Sequence, residues 1–348
     1  MPPFSPGKRV VVLGAGATRG ASTVGDKLCL PPLNADFFTQ LQRITSPKHS
    51  GKVGKVVSDL VDLFGPNFSL TMEEYFTQLE SMATMSRLAP VKGRTFSPSE
   101  IREKRDRLMS ALAAVLEEST DVSRKASAVC EHHAAIINRL QRQDTIISFN
   151  YDCVMDHALR RTARGKWSAQ YGYCFPSPSR LEGYENWNAD DPPRGANQSI
   201  NLLKLHGSLN WQLPSGETAA TDSIRLKQRL YEQNGTPRFT IIPPEFVKTI
   251  DQDPNFEALW RNAERAIRGA EVIALVGFSF TPTDLHVESL FRIALAKSNL
   301  KTLIIANPSA SDRRRIRSVF ARPLEKDCIV RQYDYLSDFA KHLALHPF

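Results

Sequence analysis

An asparagine and a histidine that follow short apolar runs are the first candidates for chemistry. Asn150 comes directly after the run Thr145–Phe149, and His206 comes directly after Asn201–Leu205. The unperturbed pKa of histidine is about 6.5, so its imidazole can accept a proton near neutral pH. An asparagine amide can hold a hydroxyl group or a water molecule without titrating. The pair suggests a proton-transfer site, with a packed structural histidine as the alternative interpretation of His206.

Further polar and small residues follow this asparagine and two later apolar runs. Asp152 lies two residues after Asn150, where it could orient the amide, contact a ligand hydroxyl or cap a helix predicted over Val154–Arg161. The later runs, Val272–Val276 and Thr302–Ala306, precede Gly277, Ser279, Asp284, His286 and Asn307. Helix capping is the simpler account of Asp284, because aspartate and asparagine commonly cap turns and helices.

A turn of small residues follows the first apolar run, Arg9–Leu13. It consists of Gly14, Ala15, Gly16, Ala17 and Thr18. Small residues at this place let main-chain N–H groups approach a pyrophosphate, and a helix that begins there adds a favourable dipole. Arg19 stands where a GxGxxG motif has its third glycine, and no acidic residue ends a second strand about 20 residues later. The turn therefore indicates nucleotide binding but argues against an ordinary hydride-transferring dehydrogenase. The alternative is a tight turn that binds no ligand.

Short, β-branched and nearly continuous apolar runs predict strands of a parallel sheet that is buried on both faces. Helical patterns such as Phe256–Arg268 and Leu285–Ala296 separate several of them. The alternation predicts a doubly wound, mostly parallel α/β fold of the Rossmann-like type with a helical insertion. The predicted strands are Arg9–Leu13, Thr145–Phe149, Asn201–Leu205, Phe239–Ile242, Val272–Val276, Thr302–Ala306 and Cys328–Gln332. The carboxyl ends of such strands line one crevice, so the candidates above are expected at one site.

Two intervals interrupt the alternation. Residues 35–144 indicate helices: Asp106–Glu118 has helical spacing, and Thr71 precedes an acidic first turn as a helix cap would. We therefore expect residues 1–34 and 145–348 to form the α/β domain and residues 35–144 a mainly helical insertion. The second interval, Gly165 to Ser199, is rich in aromatic residues, Pro, Asn and Gly, and predicts an irregular covering loop.

The composition excludes several classes of protein. The 348 residues include 45 Lys and Arg against 37 Asp and Glu, for a net charge of +8, which suits a polyanionic ligand or a solvated basic surface. A role in binding nucleic acid therefore stays open. The five cysteines include no CxxC pair, so neither a disulfide framework nor a structural zinc site is expected. Cys130, His132 and His133 would not converge on a metal from one helix. No apolar run reaches the length of a membrane span, and we expect a cytoplasmic protein without a membrane partner.

The motifs and their order along the chain resemble those of the sirtuin superfamily. The matching elements are Gly14-Ala15-Gly16, Asn150 with Asp152, His206-Gly207, Gly277 with Ser279, and Asn307. Smaller features are similar to a prokaryotic, defence-associated branch: Met72-Glu73-Glu74, Ile241-Ile242-Pro243-Pro244, Lys248 and Trp260. The chain departs from the classical deacylases in lacking their two zinc-binding cysteine pairs. It also has Arg19-Gly20-Ala21-Ser22 where they have a Pro-Asp-Phe-Arg-like stretch. Both departures argue against protein deacylation.

The resemblance implies cleavage of NAD to nicotinamide and ADP-ribose, with Asn150 and His206 as catalytic residues. It implies NAD binding by Gly14, Ala15, Gly16, Ala17, Thr18, Asp152, Gly277, Ser279, Asp284, His286 and Asn307, and no bound metal. NAD-dependent deacylation or ADP-ribosyl transfer, and a non-catalytic NAD or ADP-ribose sensor, are the alternatives. Unregulated NAD hydrolysis would harm the cell, so we expect the activity to be gated. The resemblance to the defence-associated branch implies an NAD-depleting effector of anti-phage defence. It would form a homo-oligomer or act with a partner such as an ATPase, with residues 35–144 as the candidate interface.

Overall fold

Among the residues that the structure describes, the main sheet has six parallel strands and a second sheet has four short strands. The computed structural model of the chain describes residues 4, 6–25, 27–88, 97–120, 128–177, 180–212, 224–228, 239–242, 253–281 and 284–348. The described strands are β1 (Arg9–Leu13), β2 (Thr145–Ser148), β3 (Leu181–Glu182), β4 (Asn201–Lys204), β5 (Gly207–Gln212), β6 (Ile224–Leu226), β7 (Phe239–Ile241), β8 (Val272–Val276), β9 (Thr302–Ala306) and β10 (Ile329–Tyr333).

The main sheet has the order β10-β9-β8-β1-β2-β4. All neighbouring strands in it are parallel. Its inner strands are almost wholly buried, which explains why their sequences are continuous apolar runs without alternation. The prediction of a doubly wound α/β fold is confirmed.

The helices between these strands flank the sheet. They are α1 (Ala15–Arg19), α2 (Phe37–Gln42), α3 (Pro47–Phe64), α4 (Met72–Leu88), α5 (Pro98–Thr120), α6 (Glu131–Arg139), α7 (Val154–Thr162), α8 (Ala169–Gly172), α9 (Pro254–Gly269), α10 (Leu285–Leu295), α11 (Ala310–Val319), α12 (Ala321–Leu324) and α13 (Leu336–Leu345). α6 packs against α7 and α13, while α10 packs against α9 and α11. Within the described ranges no helix is both long enough and apolar enough to cross a bilayer.

Helices α2 to α5 come between β1 and β2 in the chain, and α5 packs against α2, α3 and α4. The predicted cap of α4 is present: the Thr71 amide donates to Glu74 Oε2 over 2.7 Å, and the Glu74 amide donates back to Thr71 Oγ1 over 3.2 Å. Asp59 of α3 accepts from Lys104 and Arg107 of α5, each over 2.7 Å. These contacts fix the helices to one another. The division of the chain at residues 34 and 144 stays a prediction.

The assignment of Phe239–Ile242 to the parallel sheet is wrong. This segment forms β7, which pairs antiparallel with β5 in the second sheet of order β3-β6-β5-β7. The partner β5 begins directly after the turn at His206, and its sequence GSLNWQ has none of the apolar continuity that marks the other strands. Without β5 as a visible partner, an apolar run such as β7 is indistinguishable in sequence from a strand of the main sheet.

Candidate functional site

The strand order reverses between β1 and β8, which is where a doubly wound fold is expected to have its ligand crevice. From β1 the chain proceeds to β2 and β4 on one side, then crosses to β8, β9 and β10 on the other. Ligands of doubly wound proteins bind at such a switch point, outside the carboxyl ends of the strands. Two glycine turns meet there: the Gly14 amide donates to the Val276 carbonyl over 3.1 Å, and the Gly16 amide donates to the Gly277 carbonyl over 2.9 Å.

Gly277 makes this close approach possible. Its φ is +55°, in the left-handed region, and a Cβ there would lie 2.1 Å from the Ala17 nitrogen. The amide of Ala17 also donates within the protein, to the Gly14 carbonyl over 2.9 Å. The amides of Gly14, Gly16 and Ala17 thus have protein acceptors, and α1 is only five residues long. The turn therefore offers a phosphate fewer main-chain amides than the sequence suggested, and Ala15 is its exposed residue.

Asn150 is held against the glycine turn by both hydrogens of its amide. Nδ2 donates to the Gly14 carbonyl over 2.9 Å and to Thr18 Oγ1 over 3.0 Å. Because a main-chain carbonyl can only accept, this contact fixes which side of the amide is nitrogen. Oδ1 is therefore left as an acceptor on a half-buried side chain beside the crevice. Such an acceptor can take a hydrogen bond from a hydroxyl group or a water molecule.

Asp152 combines two of the roles expected from sequence. Its Oδ1 accepts from the Val154 amide over 2.9 Å, which caps α7. Its Oδ2 accepts from Thr18 Oγ1 over 2.6 Å. Since Thr18 donates its only hydroxyl hydrogen to Asp152, it must accept from Asn150, so the carboxylate orients the amide through the threonine.

Replacing Thr18 with valine should therefore lower the rate of the expected NAD cleavage by about tenfold. The fold should persist, because the valine side chain has nearly the same shape as threonine and lacks only the hydroxyl group that links Asp152 to Asn150. Thr18→Ser, which keeps the hydroxyl, should stay within about twofold of the wild type. Steady-state rates and thermal unfolding of the three proteins test this. Equal rates for Thr18→Val and Thr18→Ser would show that the relay does not position Asn150.

His206 lies in the turn between β4 and β5, and 7% of it is exposed. Phe149 packs edge-on against its ring at 5.1 Å between centroids, and Tyr151 stacks on it at 6.1 Å. The next residue, Gly207, has φ +80°, and a Cβ there would lie 2.2 Å from the Thr240 carbonyl oxygen. Aromatic packing thus fixes His206, and the turn requires a glycine at position 207.

Asp284 lies opposite this ring. Its Oδ2 is 3.7 Å from His206 Nε2, and its side chain makes no capping bond to α10 within the described residues. A carboxylate at this distance stabilises the imidazolium that forms when histidine accepts a proton. His286 is exposed in the first turn of α10. The structure therefore brings Asp284, rather than His286, to the histidine.

Ser279 and Asn307 form a separate contact between the Gly277 turn and the end of β9. Asn307 Nδ2 donates to the Phe278 carbonyl over 3.0 Å, and its Oδ1 accepts from the Ser309 amide over 2.8 Å. Ser279 donates to Asp312 Oδ2 over 2.7 Å. Both side chains support the two turns, and a direct contact of Asn307 with adenosine stays a prediction.

A buried ion pair beneath the site escaped the sequence analysis. Lys204 and Asp156 are each 1% exposed, and Lys204 Nζ donates to Asp156 Oδ2 over 3.0 Å. Nζ also donates to the Asp152 carbonyl and to Ser208 Oγ. Burial is the largest single influence on the pKa of Lys204 and would lower it, but the neighbouring acidic groups, Asp156 foremost, together outweigh burial and raise the pKa above its usual 10.5. A lysine inside the apolar run Asn201–Leu205 was the available signal.

This ion pair connects the two candidate catalytic turns. The Asp152 carbonyl belongs to the turn that carries Asn150, and Ser208 follows His206 by two residues. Tyr173, from the predicted covering loop, is buried and donates to the second oxygen of Asp156. That loop contains α8, β3 and short 3₁₀ helices, so it is more regular than expected. One buried cation therefore fixes the distance between the turns.

Cys130 and His133, which are not expected to bind a metal, form a buried contact. Cys130 Sγ lies 3.0 Å from His133 Nδ1. Burial raises the pKa of this thiol, but the hydrogen bonds and charge of His133 outweigh it and bring the pKa to about 6. In the part of the chain that the structure describes, no three His, Cys, Asp or Glu side chains could together hold a metal ion. That the protein has no zinc stays a prediction.

The sheet order and the crevice define a Rossmann-like α/β protein. The chain belongs to the SIR2-like domain family, whose model matches residues 144–325, just over half of the chain. No match was found among curated proteins. The matched range contains Asn150, His206 and Gly277, whereas the Gly14 turn precedes it. Membership confirms the resemblance to sirtuins and implies chemistry that uses NAD.

Proposed function

We propose that the chain is an NAD glycohydrolase. The observation that carries the proposal is the network in which Asn150 Nδ2 donates twice to the glycine turn, which fixes the amide and leaves Oδ1 as its acceptor. Nicotinamide is a cationic leaving group, so the protein has mainly to position the ribose and a water molecule. A rigid neutral amide beside a nucleotide crevice suits that task.

In the proposed reaction, water attacks the ribose carbon and the bond from that carbon to the nicotinamide nitrogen breaks. The bonding electrons leave with nicotinamide, which becomes neutral, and the oxygen of water becomes the new hydroxyl of ADP-ribose. One proton is released from the water, and His206 accepts it. Asp284 stabilises the resulting imidazolium across 3.7 Å.

The other residues around the crevice would bind and orient NAD. The main chain at Ala15 is the exposed part of the glycine turn and would contact the pyrophosphate. Gly277 keeps the two turns close enough to form one surface. Phe149 and Tyr151 pack around the imidazole and limit access of bulk water to it.

Product analysis distinguishes this proposal from its alternatives. Purified protein incubated with NAD alone should release nicotinamide and ADP-ribose in equal amounts, as followed by chromatography. Nicotinamide release that requires an acyl-lysine peptide would instead indicate deacylation or ADP-ribosyl transfer. Saturable NAD binding without nicotinamide release would indicate a sensor and contradict the proposal.

We propose further that the hydrolase is cytoplasmic and gated, acting as an NAD-depleting effector in anti-phage defence. Residues 35–144 would form the interface of a homo-oligomer or of a partner such as an ATPase. The reason is the danger of constant NAD loss to the host cell. The rate per chain should rise with protein concentration as the oligomer forms. A monomer with full, constant turnover would contradict the gating.

A further inference from the structure

A cavity of about 600 Å³ lies at the amino end of β1, whereas the candidate NAD site lies at its carboxyl end. Four basic residues line it: Arg9, Arg139, Arg142 and Lys166. Arg9 is the first residue of β1, whereas the Gly14 turn follows the last one. Five strand residues span about 17 Å, so the cavity is separate from the candidate NAD site.

The positive charge of this cavity is only partly compensated. Arg9 pairs with Asp144, with 3.1 Å between Nη1 and Oδ2. Among the described residues, the recorded acceptors of Arg139, Arg142 and Lys166 are main-chain carbonyls. Carbonyl oxygens carry only partial charges, and the described side chains that line the cavity include no Asp or Glu.

The lowered pKa of Lys166 is consistent with too little negative charge around its ammonium group. Burial lowers the pKa of its ammonium group, and Asp144 offsets the effect only in part. An anion in the cavity would relieve the unfavourable desolvation of this lysine. Arg142 is exposed at the mouth, so its guanidinium is accessible to an incoming ligand.

We propose that this cavity binds a compact, phosphate-rich anion of the pyrophosphate or polyphosphate class. Arginine guanidinium groups match phosphate oxygens with paired hydrogen bonds, and a lysine adds a point charge. The residues lining the cavity include no aromatic ring on which a base would stack, so the phosphates rather than a nucleobase are recognised.

Isothermal titration calorimetry of the whole chain with inorganic pyrophosphate measures the affinity and tests the proposal. One saturable site is expected, with affinity about tenfold weaker in Arg142→Gln and weaker again in Arg142→Gln/Lys166→Gln. Arg314→Gln is the matched control, because it removes the same charge from an exposed position on α11. Arg142 is exposed, so the single variant should fold even where the double variant does not.

Four results would overturn the proposal. The first is the absence of saturable binding to the wild type. The second is equal weakening by Arg142→Gln and Arg314→Gln, which would indicate a general charge effect. The third is loss of pyrophosphate binding in Asn150→Ala with no change in Arg142→Gln, which would place the anion at the glycine turn. Binding of a single-stranded oligonucleotide but not of pyrophosphate would likewise contradict it.

Discussion

Replacing His206 with alanine should lower nicotinamide release by about 10²–10⁴-fold, the usual loss when a general base is removed. In the proposed mechanism the imidazole accepts the proton of the attacking water, and Asp284, 3.7 Å from Nε2, would stabilise its charged form. The KM for NAD should change less than kcat, because the role of His206 falls in the transition state. Steady-state kinetics with chromatographic detection of nicotinamide measures both.

Because the ring of His206 is packed against Phe149 and Tyr151, alanine also leaves a cavity. His206→Asn separates the two effects, since it fills more of that space and cannot act as a base. Both variants should lose activity, whereas His346→Ala, at an exposed position, should change neither rate nor stability. Near-wild-type turnover by folded His206→Asn would refute the assignment of the base.

Replacing Lys204 with methionine should lower the free energy of unfolding by about 3–5 kcal/mol. The change leaves Asp156 as an uncompensated buried charge and removes a donor from the Asp152 carbonyl and from Ser208. Lys301→Met is the matched control: its ion pair with Glu271 lies at the surface, where solvent screens it, so its loss should cost far less than the loss of the buried pair. Denaturant unfolding measures the two variants.

The pH dependence of this loss follows from the raised pKa of Lys204. Stability from a lysine with a raised folded pKa is fully present below its unfolded value, near 10.5, and is lost as pH rises through the folded value. The cost of Lys204→Met should therefore be constant between about pH 6 and pH 9. Adding Asp156→Asn should recover part of it. Equal costs for Lys204→Met and Lys301→Met would contradict the buried pair.

Sequence was sufficient to predict the main sheet because its strands are continuous apolar runs. β1, β8 and β9 have the predicted bounds, and the ends of β2, β4 and β10 differ by one residue. The second sheet could not be predicted in the same way. Its strands are short, polar or interrupted, and their burial depends on contacts with distant segments that no local pattern reveals.

The candidate site was predictable at its strand ends and not in its supporting contacts. Asn150 and His206 follow buried strands and carry recognisable motifs, so their positions could be inferred. The relay through Thr18 and the approach of Asp284 to His206 join residues more than 70 positions apart. Such pairings depend on how the turns pack, and a sequence without a fold does not determine them.

In the proposed function, Asn150 and His206 form an NAD-cleaving site. Its most direct test is nicotinamide release by the wild-type chain and by Asn150→Ala/His206→Ala, at saturating NAD and over a range of protein concentrations. Thermal unfolding should first show that both proteins are folded. The wild type should release nicotinamide and ADP-ribose in equal amounts, and the double variant should show only the uncatalysed rate. Equal rates for the two folded proteins would contradict the account.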